Sequence, residues 1–420
     1  MLSRIGKPPE PSGTIGNHDE RSTDNIPPHR TRIMNDNRQP AKQNLLYIDV
    51  LTVLSAFAVV MLHANGVYWS HPEGRLWVTS NFIETFFYFA VPIFFMISGA
   101  TLMDYREKYS TKEYFIRRLI RVGIPFVVWK IGCVLALGHL PWGHILSKET
   151  AFIFVNEFFN SSVVSVYWFF LPLFVIYLTI PFFASVREKR RNFSYVIAWS
   201  LAVMTAQLLV NFLKWKFSMT IVINFNSLAS LVSAYPLLYP LLGYCLATYE
   251  IPRKYRIAIY ALGVAGFLMH FAGTMIVTRP DGPIDGMFKG YANLPAVLQA
   301  AAIFLFVKNI NFQKIPRFLL SLLSFAKPYS FFVYLSHFYF VLYAQRYPKF
   351  FSTIYFRTIG SLVIFSLCIL LGWLIGQCAR GRLACLRPVF GLPLGKRSAS
   401  PRNSAPASSA EIAEKRETAN

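Results

Sequence analysis

The chain has 420 residues, of which 54% are hydrophobic and only 15% are charged. A soluble domain carries roughly 25% charged residues, so these charges are too few to cover a solvated surface of this size. The formal net charge is +22, but the basic residues stand in short clusters between apolar runs and form no single patch. This pattern argues against a nucleic-acid partner and indicates a protein embedded in the lipid bilayer.

Polar segments stand at both ends of the sequence. Residues 1–44 are rich in Pro, Asn, Arg and Ser, and they lack the apolar core of a secretory signal. Residues 381–420 are basic at first, then rich in Ser, Ala and Pro. Such segments bury too little apolar surface to fold. We therefore predict disordered cytoplasmic tails at 1–44 and 381–420 on either side of a membrane domain at 45–380.

Apolar runs between the tails approach the length of about 20 residues that crosses a bilayer. The candidate spans are 45–64, 82–103, 119–137, 163–185, 193–213, 228–249, 257–277, 291–307, 319–344 and 358–378. Because backbone groups in lipid must be hydrogen-bonded within their own segment, each span is predicted to be helical. The sequence thus predicts an all-α polytopic membrane bundle of about ten transmembrane helices.

The distribution of Lys and Arg predicts the orientation of this bundle. With ten spans, 32 of the 42 basic residues fall on the side that carries both tails, 9 fall on the opposite side, and Lys130 lies within a span. Cytoplasmic segments of membrane proteins carry the excess of Lys and Arg. Both ends of the chain are therefore predicted to be cytoplasmic.

The five cysteines are scattered along the chain, and three of them lie in apolar runs. None has the spacing of metal ligands. We interpret them as packing residues or free thiols and predict no metal site.

The first span carries the most informative polar residues. His63 follows Thr52 by eleven residues, which is about 16 Å along a helix and almost a whole number of turns. Asp49, Thr52 and His63 therefore share one stripe, with Asp49 near the cytoplasm and His63 towards the outer end. Histidine suits general-base catalysis because its ordinary pKa is near neutrality. The alternative is an ordinary histidine at a helix end, hydrogen-bonded to a neighbour.

Glu84 stands near the outer end of the second span, which runs opposite to the first. It is therefore predicted to lie at a depth similar to that of His63, where a carboxylate would orient the imidazole. The alternative is a solvated carboxylate at the membrane interface.

Three arginines form a cluster on the cytoplasmic side before the third span. Arg117, Arg118 and Arg121 occupy neighbouring positions of about one helical turn. The planar guanidinium group binds phosphate well. The alternative is plain anchoring by positive charge at the cytoplasmic face.

Five stretches of sequence occur together in a recognisable order. They are residues 47–49 with the later His63, Pro-x-Phe-Phe-x-x-Ser-Gly at 92–99, Arg-Arg-x-x-Arg at 117–121 with Pro125, Trp-Phe-Phe-Leu at 168–171, and Tyr-Leu-Ser-His at 334–337. In this combination the chain resembles the acyltransferase 3 family of integral membrane acyltransferases over about residues 45–380. It departs from the family at Thr52, where the first helix usually carries an arginine.

The resemblance implies transfer of an acyl group, most often acetyl, from cytoplasmic acyl-CoA to a hydroxyl of a cell-envelope carbohydrate. It implies a multi-pass protein of the bacterial inner membrane that uses acyl-CoA as a co-substrate and has no permanently bound cofactor. The expected general base is His63, assisted by Glu84. The side chains expected to hold the phosphates of CoA are Arg117, Arg118 and Arg121. The expected substrate-binding residues are Asp49, Thr52, Trp168 and His337.

Other readings of these residues stay open. His337 is equally well explained as a packed core histidine, and Trp168 as part of an interfacial aromatic belt. If an arginine at the position of Thr52 normally contacts the donor, Arg117, Arg118 or Lys130 must supply that charge here.

The competing function is a transporter or exporter of a glycan or lipid-linked precursor, which would need no CoA site. Thr52 favours that reading, whereas His63 and the arginine cluster favour the enzyme. A cavity that opens beside Arg117 and reaches His63 would discriminate between them.

Overall fold

The computed structural model describes residues 43–136, 152, 155–156, 165–187, 190–219, 235–280 and 282–393. These residues form helices and turns, without strands, which confirms the all-α prediction. The α-helices are α1 (Gln43–Ala64), α2 (Gly74–Phe87), α3 (Ala90–Leu102), α4 (Thr111–Arg118), α5 (Ile124–Ala136), α6 (Phe170–Val186), α7 (Arg190–Phe217), α8 (Leu238–Thr248), α9 (Arg253–Val277), α10 (Leu294–Lys308), α11 (Arg317–Ala326), α12 (Ser330–Gln345), α13 (Pro348–Phe351) and α14 (Ser361–Cys378).

Seven helical stretches within the described residues are long and apolar enough to cross a membrane. They are Leu46–Ser70, Gly74–Glu107, Ser165–Val186, Asn192–Phe217, Arg253–Val277, Arg317–Gln345 and Phe356–Cys378. Two further apolar helices, α8 and α10, are shorter. The protein is thus a polytopic helical membrane protein, while the number of ten spans and the cytoplasmic position of both ends stay predictions.

Two of the predicted spans are interrupted at prolines. The predicted span 82–103 consists of α2 and α3, which are separated at Tyr88 and Phe89. Proline has no amide hydrogen, so Pro92 cannot donate the helical bond to the carbonyl oxygen of Tyr88. Likewise, the predicted span 319–344 is divided into α11 and α12 by the 3-10 turn Lys327–Tyr329, which contains a proline.

Helix α1 lies at the centre of the bundle. It packs against α2, α3, α10, α11, α12 and α14. Ala56, Ala58 and Ala64 are completely buried, and small side chains of this kind let helices approach closely within a membrane. His63 near the end of α1 is therefore surrounded by helices from both halves of the chain.

Helices α3 and α8 cross at two glycines that face each other's backbone. A Cβ atom on Gly99 would overlap the backbone of Pro240, and a Cβ atom on Gly243 would overlap the backbone of Met96. Neither position has room for a side chain, because on both sides the obstacle is main chain. This crossing fixes how α3 sits beside α1.

The structure differs from the predicted disorder of residues 381–420 at the start of that segment. Gly381–Phe390 form a 3-10 helix, and the chain then turns at Gly391, whose φ is +70°. Leu392 beyond the turn is buried with 3% of its surface exposed, so this segment does bury apolar surface against the bundle. The predicted N-terminal tail up to residue 42 and the residues after 393 lie outside the described residues.

Candidate active site

A cavity of about 240 Å³, here named the His63 cavity, lies beside the C-terminal part of α1. Its lining includes two ionisable side chains, His63 and Glu84. Much of the wall is aromatic and is formed by Trp69, Tyr88, Trp168, Phe169, Tyr291 and Tyr334. His63 also lines an adjoining cavity of about 400 Å³, which includes Trp69 and Trp168. The side chain is thus accessible to a substrate from inside the bundle.

The ring of His337 lies beside that of His63, with 5.2 Å between the ring centroids. His337 is completely buried, and its Nδ1 donates a hydrogen bond of 2.9 Å to the carbonyl oxygen of Val333. Because a carbonyl only accepts hydrogen bonds, Nδ1 carries a proton and Nε2 of the neutral ring is left as an acceptor. Nε2 has no hydrogen-bond partner among the described residues. The structure therefore brings together two histidines that the sequence singled out separately.

Glu84 has a different partner from the one predicted. Its Oε1 accepts a hydrogen bond of 2.6 Å from Nζ of Lys289, and both side chains are buried. Oε2 has no hydrogen-bond partner within the described residues, so no such bond joins Glu84 to His63 there. A buried carboxylate needs a cation nearby, and lysine carries that charge at neutral pH more firmly than histidine does. Glu84 therefore lines the same cavity as His63 without orienting its ring.

Lys289 reaches Glu84 from the loop that joins α9 and α10. The side-chain amide of Asn293 braces this loop through three carbonyl oxygens, those of Gly286, Met287 and Lys289. Burial lowers the pKa of the Lys289 ammonium, and the Glu84 carboxylate opposes that change. Nζ also lies 4.4–4.6 Å from three ring centroids, those of Tyr68, Trp69 and Tyr88. The lysine charge is thus enclosed by protein groups on several sides.

Three rings form a continuous stack on the wall of the His63 cavity. The centroids of Tyr88 and Tyr291 are 4.3 Å apart with an interplanar angle of 10°. Tyr291 in turn stacks on Trp168 at 5.4 Å and 21°. Trp168 therefore belongs to the cavity wall, where it lies with His63 and Glu84.

A cavity of about 200 Å³, here named the Thr52 cavity, lies nearer the N-terminal end of α1. Its polar lining includes Thr52, Ser98, Arg118 and Tyr177. The guanidinium carbon of Arg118 lies 5.8 Å from the ring centroid of Tyr177, and Nε of Arg118 has no hydrogen-bond partner among the residues described. Arg118 thus brings a positive charge to the cavity that Thr52 lines.

The other charged residues predicted at this end are held differently. Nε of Arg117 donates a hydrogen bond of 2.9 Å to Oε1 of Glu113 in an exposed ion pair. Arg121 is exposed as well. Asp49 forms an ion pair with Lys327 at 3.0 Å. Of the three predicted phosphate-binding arginines, only Arg118 lines the Thr52 cavity.

Phe169 and Tyr334 line both the His63 cavity and the Thr52 cavity. The hydroxyl of Tyr334 donates a hydrogen bond of 2.6 Å to the carbonyl oxygen of Val166. Phe169 stacks on Phe95 with 5.0 Å between centroids. The Thr52 cavity and the His63 cavity are thus two separate cavities that share a pair of well-packed rings.

Some residues of this site have no clear signal in the sequence. Phe169 and Tyr334 fall within stretches that resemble family motifs. Lys289, in contrast, lies in a polar connection, and Tyr291 begins the predicted span 291–307, although the structure places it in the loop before α10. Only the folding of that connection into the bundle reveals their contact with Glu84 and Tyr88.

Comparison with protein families identifies the family to which the chain belongs. A family model for the acyltransferase domain of acyltransferase 3 matches residues 45–375. The match extends from α1 into α14 and includes every residue named above as lining a cavity. Searches of the curated proteins and of the solved structures found no match. The chain therefore belongs to the acyltransferase 3 family and is a membrane-embedded acyltransferase.

Proposed function

We propose that the protein transfers an acyl group, in the first instance acetyl, from cytoplasmic acyl-CoA to a hydroxyl of a cell-envelope carbohydrate in the bacterial inner membrane. The observation that carries this proposal is the pair of cavities along α1. One holds an arginine suited to a phosphorylated donor, and the other holds a histidine suited to deprotonating an acceptor. Membership of an acyltransferase family favours the enzyme over a transporter.

The Thr52 cavity is the proposed donor side. If both chain ends are cytoplasmic, the N-terminal end of α1 and this cavity lie at the cytoplasmic face, where CoA is found. Arg118 supplies the positive charge inside the cavity, and Arg117 and Arg121 stand exposed nearby in the sequence. Asp49 fixes Lys327 at the same end of α1. These cations suit the phosphates of CoA, while the acyl end of the donor extends past Phe169 and Tyr334.

The His63 cavity is the proposed site of chemistry. His63 takes the proton of the acceptor hydroxyl while the oxygen forms a bond to the thioester carbonyl carbon. The carbon–sulfur bond then breaks, and the sulfur leaves with its electron pair. The His63 imidazolium returns a proton to that sulfur, so the products are an ester and free CoA. His337 packs beside His63 and limits the positions that its ring can adopt.

Acyl transfer in isolated membranes tests the proposal directly. Membranes that carry the full chain are supplied with radiolabelled acetyl-CoA, and label is then measured in extracted envelope glycan. We expect glycan labelling well above that of matched membranes without the protein. Equal labelling of the two membranes, with the protein present at a normal level, would contradict the proposed donor and acceptor.

Arg118→Ala is expected to weaken use of the donor specifically. Loss of one charge-assisted hydrogen bond should raise the KM for acetyl-CoA by about tenfold or more and leave the KM for the acceptor nearly unchanged. The matched control is Arg253→Ala, which removes an exposed arginine at the start of α9, outside both cavities. The two KM values measured in parallel for both variants check this, and equal effects of the two variants would remove Arg118 from the donor site.

A further inference from the structure

We propose that Glu84, paired with Lys289, forms the acceptor-binding subsite of the His63 cavity, and that this subsite selects an uncharged sugar over an acidic one. The inference rests on the acyl transfer proposed above, and it gives Lys289 the role of holding Glu84 in position for the acceptor. It follows from the pairing of the two charges and from the second carboxylate oxygen of Glu84, which that pairing leaves without a hydrogen-bond partner among the described residues.

The carboxylate of Glu84 has one oxygen available for a ligand. The side chain is only 3% exposed and lines the His63 cavity. Oε1 is bonded to Lys289, whereas Oε2 is buried without a hydrogen-bond partner among the described residues. Buried carboxylate oxygens are normally hydrogen-bonded, because an unpartnered one is costly in a medium of low dielectric. A hydroxyl of the acceptor is the donor that this oxygen requires.

The charge of Lys289, in contrast, is already engaged within the protein. Its ammonium group donates to Glu84 at 2.6 Å, and the rings of Tyr68, Trp69 and Tyr88 surround it at cation–π distance. It therefore balances the carboxylate instead of attracting an anion into the cavity. The group that Glu84 offers to a ligand is an oxygen with negative charge, which accepts from hydroxyls and repels carboxylates and phosphates.

The remaining wall suits the body of a sugar ring. The stack of Tyr88, Tyr291 and Trp168 presents aromatic surface in the same cavity. Binding sites for small molecules commonly combine such surface with a few polar groups that fix the orientation of the ligand. The apolar face of the sugar ring packs on the stack. One hydroxyl of the sugar donates a hydrogen bond to Glu84, and another donates a hydrogen bond to His63.

This role differs from orientation of His63 by Glu84. No hydrogen bond joins these two side chains in the described part of the chain. Loss of Glu84 should therefore change the affinity and selectivity for the acceptor when binding is measured without the donor. If Glu84 instead only supported His63, its loss would lower the rate of transfer and leave the preference between acceptors unchanged.

Binding of two matched glycosides provides the test. Methyl glucoside and methyl glucuronide differ only at C6, which is a hydroxymethyl group in the glucoside and a carboxylate in the glucuronide. Their binding to the full-length protein in detergent is followed by tryptophan fluorescence. Trp69 and Trp168 line the cavity and report on its occupation. The variants are Glu84→Gln and the double variant Glu84→Gln/Lys289→Met, which avoids leaving a buried lysine without its partner. The matched control is Lys349→Met, which removes an exposed lysine from α13.

We expect the native protein and Lys349→Met to bind the glucoside at least about tenfold more tightly than the glucuronide. Glu84→Gln and the double variant should bind the glucoside about tenfold less tightly than the native protein does and should lose the preference. Native protein that binds both glycosides equally, or binds neither, would overturn this inference. Binding is measured without acetyl-CoA and therefore does not depend on acyl transfer. If the native protein prefers the glucoside but transfers no acyl group, that result contradicts the proposed function and not the proposed subsite.

Discussion

Replacing His63 with alanine is expected to lower the rate of acyl transfer by about 10²–10⁴-fold, the usual effect of losing a general base. Without the imidazole, the acceptor hydroxyl keeps its proton and is a poor nucleophile towards the thioester. The KM for acetyl-CoA should change little, because His63 lies in a different cavity from Arg118. His63→Gln should be as inactive as the alanine variant, since an amide keeps the hydrogen bonding but not the basicity. Initial rates of label transfer in membranes measure both effects.

The matched control for this prediction is His71→Ala. His63 lies in the last turn of α1, and His71 lies beyond the end of that helix. Nδ1 of His71 donates a hydrogen bond to the carbonyl oxygen of Gly282, and His71 lines neither named cavity. It should keep nearly native activity. A well-expressed His63→Ala protein that transfers acyl groups within about twofold of the native rate would show that another group serves as the base.

Adding a single methyl group at Gly243 is expected to destabilise the bundle by about 1–3 kcal/mol. The new Cβ of Gly243→Ala would overlap the backbone of Met96, so α3 and α8 would have to move apart. A flexible side chain could give way, but main chain on both sides of the crossing cannot. Because α3 packs against α1 as well, the displacement should also reduce activity. The thermal unfolding midpoint in detergent, followed by size-exclusion chromatography after heating, measures the loss.

Gly132→Ala is the matched control for the helix crossing. Gly132 lies within α5, and an added Cβ there would meet no atom of the described residues within 4 Å. Replacing an unconstrained helical glycine with alanine usually stabilises a helix by roughly 0.5–1 kcal/mol. The control should therefore unfold at the native temperature or slightly above it. Equal destabilisation by the two alanines would mean that the crossing of α3 and α8 is not as tight as described.

The helical class and the membrane spans were predictable because both depend on local sequence. Long apolar runs must be helical in lipid, and the described helices fall within or beside those runs. The breaks between α2 and α3 and between α11 and α12 lie close to prolines that the sequence shows, at Pro92 and within the turn Lys327–Tyr329. The ordered start of the C-terminal segment was missed, because its burial depends on contacts with distant helices.

The candidate site was predictable in part, because some of its residues also stand out in the local sequence. His63 and Thr52 stand out as polar residues of an apolar span and Arg118 as part of a basic cluster, and the structure places each of them at a cavity. The neighbours of those residues were not predictable from spacing along one helix. The partner of Glu84 is Lys289, which lies in a loop 205 residues further along the chain. Pairings of that kind depend on how the helices pack.

The central position of α1 has a consequence for how the enzyme is made. Of the described helices, α1 is synthesised first and carries His63, but the helices packed against it include α12 and α14, which are synthesised much later. Helix α1 therefore enters the membrane before the helices that cover it have been made. Because packing contacts of such large sequence separation form late, a ribosome stalled before α12 should leave α1 inserted but the His63 cavity incomplete, since Tyr334 of α12 is part of its wall.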